Sequence, residues 1–136
     1  MIMPILSASN INDSVAFYRD KLGFSVMAEM PGPDGNIFFA IVNMGAATFG
    51  LSANPAPDPK GNGVVFMVYV PEGTTVDEHC AMVQANGVTL ADELTTQYWG
   101  DRTYAVTDPD GYFLMIAQTV QEMSVEDIQS AQPTSV

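Results

Sequence analysis

Hydrophobic positions come in short bursts, each interrupted by Gly, Pro, Asn or Asp within about eight residues, so the chain reads as short strands and two main helices. Met3 to Ser7 is a brief apolar run ending at the turn-prone Ser9-Asn10, and Asn12-Asp13 can cap a helix that reaches Leu22. Val15, Ala16, Phe17 and Leu22 recur near helical spacing, Arg19, Asp20 and Lys21 face water, and Gly23 stands where a left-handed C-cap is needed. Phe24 to Met30 and Ile37 to Asn43 flank the turn-former cluster Pro31-Gly32-Pro33-Asp34-Gly35-Asn36, which predicts a hairpin. Asn43-Met44-Gly45 then turns the chain into a further strand, Ala47 to Ser52.

After a Pro- and Gly-rich stretch the order repeats. Gly63 to Val70 is a β-branched strand, Thr75 opens a helix with Asp77 and Glu78 in its first turn, and Gly87 ends it. Val88 to Thr95, Arg102 to Thr107 and Tyr112 to Gln118 supply three more strands, the last two joined by Asp108-Pro109-Asp110-Gly111. Asp108 and Asp110 suit that turn, because an aspartate there can accept from its own backbone two residues on. The expected organisation is α+β: a first βαβββ unit over 1–53, a linker over 54–62, a second unit over 63–118 and a polar tail over 119–136. Gly23 and Gly87 lie 64 residues apart, so the duplication shows in element order and in that glycine. In the tail, Ser124-Val125-Glu126-Asp127 resembles a capping box for a short helix before Pro133.

Composition narrows the function. Sixteen acidic residues face Arg19, Lys21, Lys60 and Arg102, a formal net charge of -12 that repels nucleic acid and raises the local concentration of cationic ligands. The lone Cys80 cannot form an internal disulfide, and no apolar run spans a bilayer, so a cytoplasmic protein with no membrane role is expected.

Three stretches carry a family resemblance: Ser14-Val15-Ala16-Phe17-Tyr18-Arg19-Asp20-Lys21-Leu22-Gly23-Phe24, Trp99-Gly100-Asp101-Arg102, and Asp108-Pro109-Asp110-Gly111-Tyr112. In order and separation across Met3 to Gln118 they resemble the glyoxalase/bleomycin-resistance/extradiol-dioxygenase proteins, the vicinal oxygen chelate superfamily. The resemblance implies paired βαβββ modules, each curling its sheet into half of an open barrel around a cleft, and dimers that share clefts. Metal-using members place His, Gln or Glu on the first and last strand of each module; here those positions fall on Met3, Gly50, Gly63 and Met115. The resemblance also puts His79, the only histidine, on a solvated outer helix. No metal or other cofactor is therefore expected.

Without a metal, the cleft suits binding by an apolar wall with aromatic members. Phe38, Phe39, Phe49, Tyr98, Trp99 and Tyr104 are the aromatic candidates, and strand alternation turns Val65, Met67 and Tyr69 toward the cleft with Phe113 and Met115. Trp99, the only tryptophan, lies in a Gly-flanked turn where it either stacks on a flat or cationic ligand or packs on the hairpin. Arg102 either clamps a ligand carboxylate or pairs with Asp101 or Asp108. Three functions stay open: a metal-independent protein of the bleomycin-resistance type that sequesters a planar or cationic compound between two subunits, an isomerase or lyase on a small metabolite using Glu29, Glu93, Asp101 or Tyr104, and a dimerising scaffold.

Overall fold

In a computed structural model the protein is described for residues 1–131. The first unit runs β1 (Ile5–Ser7), α1 (Ile11–Ala16), a π-helical turn over Phe17–Lys21, β2 (Ser25–Pro31), β3 (Ile37–Met44) and β4 (Ala47–Ser52). The second runs β5 (Val65–Tyr69), α2 (Val76–Ala85), β6 (Asp92–Thr96), β7 (Asp101–Thr107) and β8 (Phe113–Thr119). Strand order is β1-β4-β3-β2 in one four-stranded sheet and β5-β8-β7-β6 in the other. Each sheet holds one parallel pair, β1 with β4 and β5 with β8, and neither closes into a barrel.

Local chemistry sets most boundaries. Asn10, not Asn12-Asp13, caps α1: its backbone is extended and its side-chain oxygen accepts the Asp13 N–H at 3.1 Å. Thr75 does the same for α2, accepting from Glu78 N–H at 3.1 Å, and Gly87 follows that helix at φ +89°. β6 starts at Asp92 rather than Val88, because Val88 and Leu90 pack against the core before the chain joins the sheet. The tail forms α3 (Val125–Ala131), with Ser124 Oγ accepting from Asp127 N–H at 3.1 Å; it buries no residue, and Pro133 lies outside the described residues. Among the described residues no helix is long and apolar enough to cross a membrane.

Each sheet has one face against the helices and one open face. On the helix face Phe49 and Phe66, one from each sheet, meet edge to face with ring centroids 5.1 Å apart, and Tyr18 and Phe24 extend the cluster. Polar ties across the same side join the two units. Asp108 Oδ1 accepts the N–H groups of Asp110 and Tyr112 at 2.9 and 3.0 Å, holding the turn as expected, while Oδ2 accepts from Tyr18 Oη at 3.0 Å. Burial raises the Asp108 carboxyl above its ordinary range against the lowering effect of these bonds, and burial first, then Asp108, pushes the Tyr18 hydroxyl well up. Asp110, beyond shaping the turn, accepts from the Ser9 N–H at 3.1 Å and from the Ser9 hydroxyl.

His79 corrects an expectation. It is buried on the inner side of α2, not solvated. Its Nε2 donates to the Leu22 carbonyl at 2.8 Å, because a carbonyl only accepts; Nδ1 therefore carries the lone pair and Tyr104 Oη donates to it. Desolvation lowers the imidazole pKa, partly offset by the bond to Leu22.

Two stability predictions follow from these ties. Asp108→Ala strands the Tyr18 hydroxyl and two turn N–H groups and is expected to cost about 2 to 4 kcal/mol, whereas Tyr18→Phe costs about 1 kcal/mol; urea midpoints measure both. For His79, whose folded pKa is depressed, stability is complete above the ordinary imidazole value of about 6.5 and drains as pH falls below it, since the unfolded chain takes the proton first. Urea midpoints between about pH 5 and 7 are expected to slope more steeply for the wild type than for His79→Gln; parallel slopes would contradict the assignment.

Candidate functional site

Alternation along β5 buries Phe66 and Val68 and turns Val65, Met67 and Tyr69 to the open face, where they are 58%, 39% and 45% exposed. Met67 pairs with Met115 on β8, and Met115 pairs in turn with Ala105 on β7, so this row continues across the sheet. At one end of the row stands Asp101, the first residue of β7 and only 4% exposed. Tyr69 Oη donates to Asp101 Oδ2 at 2.7 Å, and Trp99 Nε1 donates to the same oxygen at 3.0 Å. Two neutral donors, one from β5 and one from the turn before β7, thus converge on one carboxylate. The hydrogen bond to Asp101, ahead of burial, pushes the Tyr69 hydroxyl up to about 12, so it remains a protonated donor through neutral pH.

The turn that presents Trp99 is tightly built. Gln97 N–H donates to the Asp101 carbonyl at 2.7 Å and Gly100 N–H to the Gln97 carbonyl at 3.1 Å. Gly100 has φ +101°, and a Cβ there would lie 2.1 Å from the Gln121 carbonyl oxygen, so only glycine fits. Its own carbonyl accepts from both Val120 and Gln121 N–H, at 2.9 and 3.0 Å. Tyr98 packs edge-on against Trp99 with centroids 5.1 Å apart.

Of the other candidate residues, Met67, Met115 and Tyr69 share the open face, whereas four stand elsewhere. Tyr104 is fully buried on the helix face beneath His79, with burial raising its hydroxyl pKa, so it is no cleft wall. Phe49 is likewise core, packed on Phe24 and Phe66. Arg102 faces α2, where its Nε meets Asp77 at 2.7 Å and an Nη donates to Thr96 Oγ1 at 3.0 Å; neither Asp101 nor Asp108 is its partner. Phe38 is the unpaired residue of a bulge at the hairpin end of β3, and Phe39 takes the open face of the first sheet, its ring lying over Gly50. The sequence offers Asp101 as one of several proton carriers and as a partner for Arg102; it shares the phase of Thr103 and Ala105, but the Tyr69 contact depends on a pairing across β8 that one sequence does not disclose.

The residues do not fit a metal. Met3 and Gly63 lie outside the strands, Gly50 has no room for a side chain beneath Phe39, and Met115 offers a thioether. Across from Gly50 and Met115 stand Ile5 and Met67. Among the described residues no three His, Cys, Asp or Glu side chains converge to hold an ion.

The family model for the Glyoxalase/Bleomycin resistance protein/Dioxygenase superfamily matches residues 2–116. An uncharacterised protein of Mycobacterium bovis is 26% identical over 139 aligned positions, covering 96% of this chain and 90% of that one. TioX from Micromonospora sp. ML1 superposes with a TM-score of 0.71 at 22% identity, over 91% of this chain and 99% of TioX. TnmS3, an antibiotic binding protein from Streptomyces sp. CB03234, superposes with a TM-score of 0.64 at 24% identity, over 88% of this chain and 96% of TnmS3. Matched over most of its length, and built from two sheets of the same strand order, the chain belongs to the glyoxalase/bleomycin resistance protein/dioxygenase superfamily.

Proposed function

We propose that the protein binds a planar or cationic organic compound on the open face, without a metal ion, and sequesters it between two copies of the chain. The observation that carries this reading is the convergence of Tyr69 and Trp99 on Asp101 beside the exposed row of Val65 and Met67. Aromatic rings, pliable thioethers and one anchored polar group are what a small-molecule site requires. The similarity in fold to TnmS3, an antibiotic binding protein, supports the same class of ligand. Exposed apolar side chains, Val65 and Met67 on β5 and Ile5 on β1, favour a covering partner, and a second copy supplies one of matching character.

Binding is preferred over catalysis on chemical grounds. General acid–base work needs a proton carrier poised near the working pH, and Tyr69, held at about 12, is a fixed donor instead.

Titrating the intrinsic fluorescence of Trp99 with cationic, aromatic antibiotics is expected to give saturable quenching for at least one compound; flat traces across the panel would sink the proposal. Met67→Arg, which puts charge into the apolar row, is expected to weaken that ligand about tenfold or more. Sedimentation should report twice the chain mass, and elemental analysis of the purified protein should find no stoichiometric transition metal.

A further inference from the structure

The chain carries four basic side chains, and each is engaged away from Asp101. Arg19 pairs with Asp20, Lys60 with Asp58 and Asp110, Arg102 with Asp77, and Lys21 donates to the Asn86 carbonyl at 2.6 Å. His79 is committed to Leu22 and Tyr104. A carboxylate that is 4% exposed is thus held by two neutral donors and no cation. Neutral hydrogen bonds offset part of the cost of desolvating a negative charge, and a cation offsets more.

The carboxylate is also only half used. Both donors fall on Oδ2, and Oδ1 accepts nothing among the described residues. Since no fully buried side-chain oxygen lacks a partner among the described residues, Oδ1 is not completely buried. Room for a ligand lies one residue away: Thr119, paired directly with Asp101 across β7 and β8, and Tyr69 border a depression of 530 Å³ that Pro71, Glu72 and Thr74 also line and that Asp101 itself does not.

We infer that Asp101 reads charge on this face, its free oxygen taking the protonated amine of an organic ligand between the Tyr69 and Trp99 rings, with the rest of the molecule in the depression toward Thr119. This rests on the reading that the open face binds small organic molecules, and it adds the group that is recognised. Trp99 and Tyr69 serve twice, as donors to the carboxylate at their polar ends and as π surfaces that favour a cation at their faces. Their neutral hydrogen bonds keep Asp101 oriented without cancelling its charge, which an arginine in the same place would do.

Three probes of one size separate the contributions: 4-phenylbutylamine, 4-phenylbutanol and 4-phenylbutyrate, each titrated against Trp99 fluorescence at about 0.15 M salt, where long-range fields are screened. The amine is expected to bind the wild type about tenfold or more tighter than the alcohol, and the carboxylate weakest. Asp101→Asn should bring amine and alcohol within about twofold, whereas Glu78→Gln, which changes net charge equally at an exposed position of α2 away from the depression, should keep the tenfold preference. Equal binding of amine and alcohol by the wild type would overturn the role of Asp101 while leaving the binding face standing. Equal losses in Asp101→Asn and Glu78→Gln would also overturn it, assigning the preference to the diffuse acidic field. No binding of any probe would remove the charge reader together with the binding reading beneath it. Should Asp101→Asn fail to give a folded far-ultraviolet dichroism spectrum, the amine-to-alcohol ratio in the wild type and in Glu78→Gln decides the question alone.

Discussion

The contact between Phe49 and Phe66 makes one core out of two similar units. Each ring comes from the helix face of its own sheet, so the sheets must share that side, and α1 and α2 are drawn over it. The polar ties that cross between the units gather on the same side: Tyr18 with Asp108, Ser9 with Asp110, His79 with Leu22, and Ser7 N–H with Tyr112 Oη at 3.0 Å. Hydrophobic burial is non-directional and sets the association of the two sheets; the hydrogen bonds then fix their relative placement. What remains is an open face with little structural duty.

That division of labour explains the distribution of charge. The chain has few basic groups, and every one braces a loop or a helix on the structural side or at its margin. Lys60, for example, has a side chain only 7% exposed and closes the linker against Asp58 and Asp110. The open face is left with aromatic, thioether and hydroxyl groups around the nearly buried Asp101, with Asp92 at its β6 edge, a composition that suits ligand capture better than proton transfer.

Element type and order were legible in the sequence because they rest on local chemistry: glycine at helix ends, proline and aspartate in turns, β-branched residues in strands. The turn at Asp108 and the capping box at Ser124 are of this kind. Facing was legible where alternation had a clear phase, as in β5. It failed where aromatic character was taken as a sign of exposure to ligand: Tyr104 and Phe49 are large because the helix face needs volume. His79 carried a usable signal. Val76, His79, Cys80 and Val83 follow the spacing of a buried helical stripe, and reading the histidine as part of that stripe would have placed it inside. Arg102 and Asp101 find partners other than those expected because Asp77 and Tyr69 are distant in sequence and become their neighbours only through the packing of α2 and the pairing across β8.

The double acceptance at the Gly100 carbonyl has a practical corollary. The segment leaving β8 hangs from the very turn that presents the indole, and α3 beyond it buries nothing. Loosening of this corner therefore changes the emission of the sole tryptophan before the shared core gives way. An unfolding curve followed by tryptophan light is a record of the strap, and the midpoint of the whole molecule is read from the backbone signal instead.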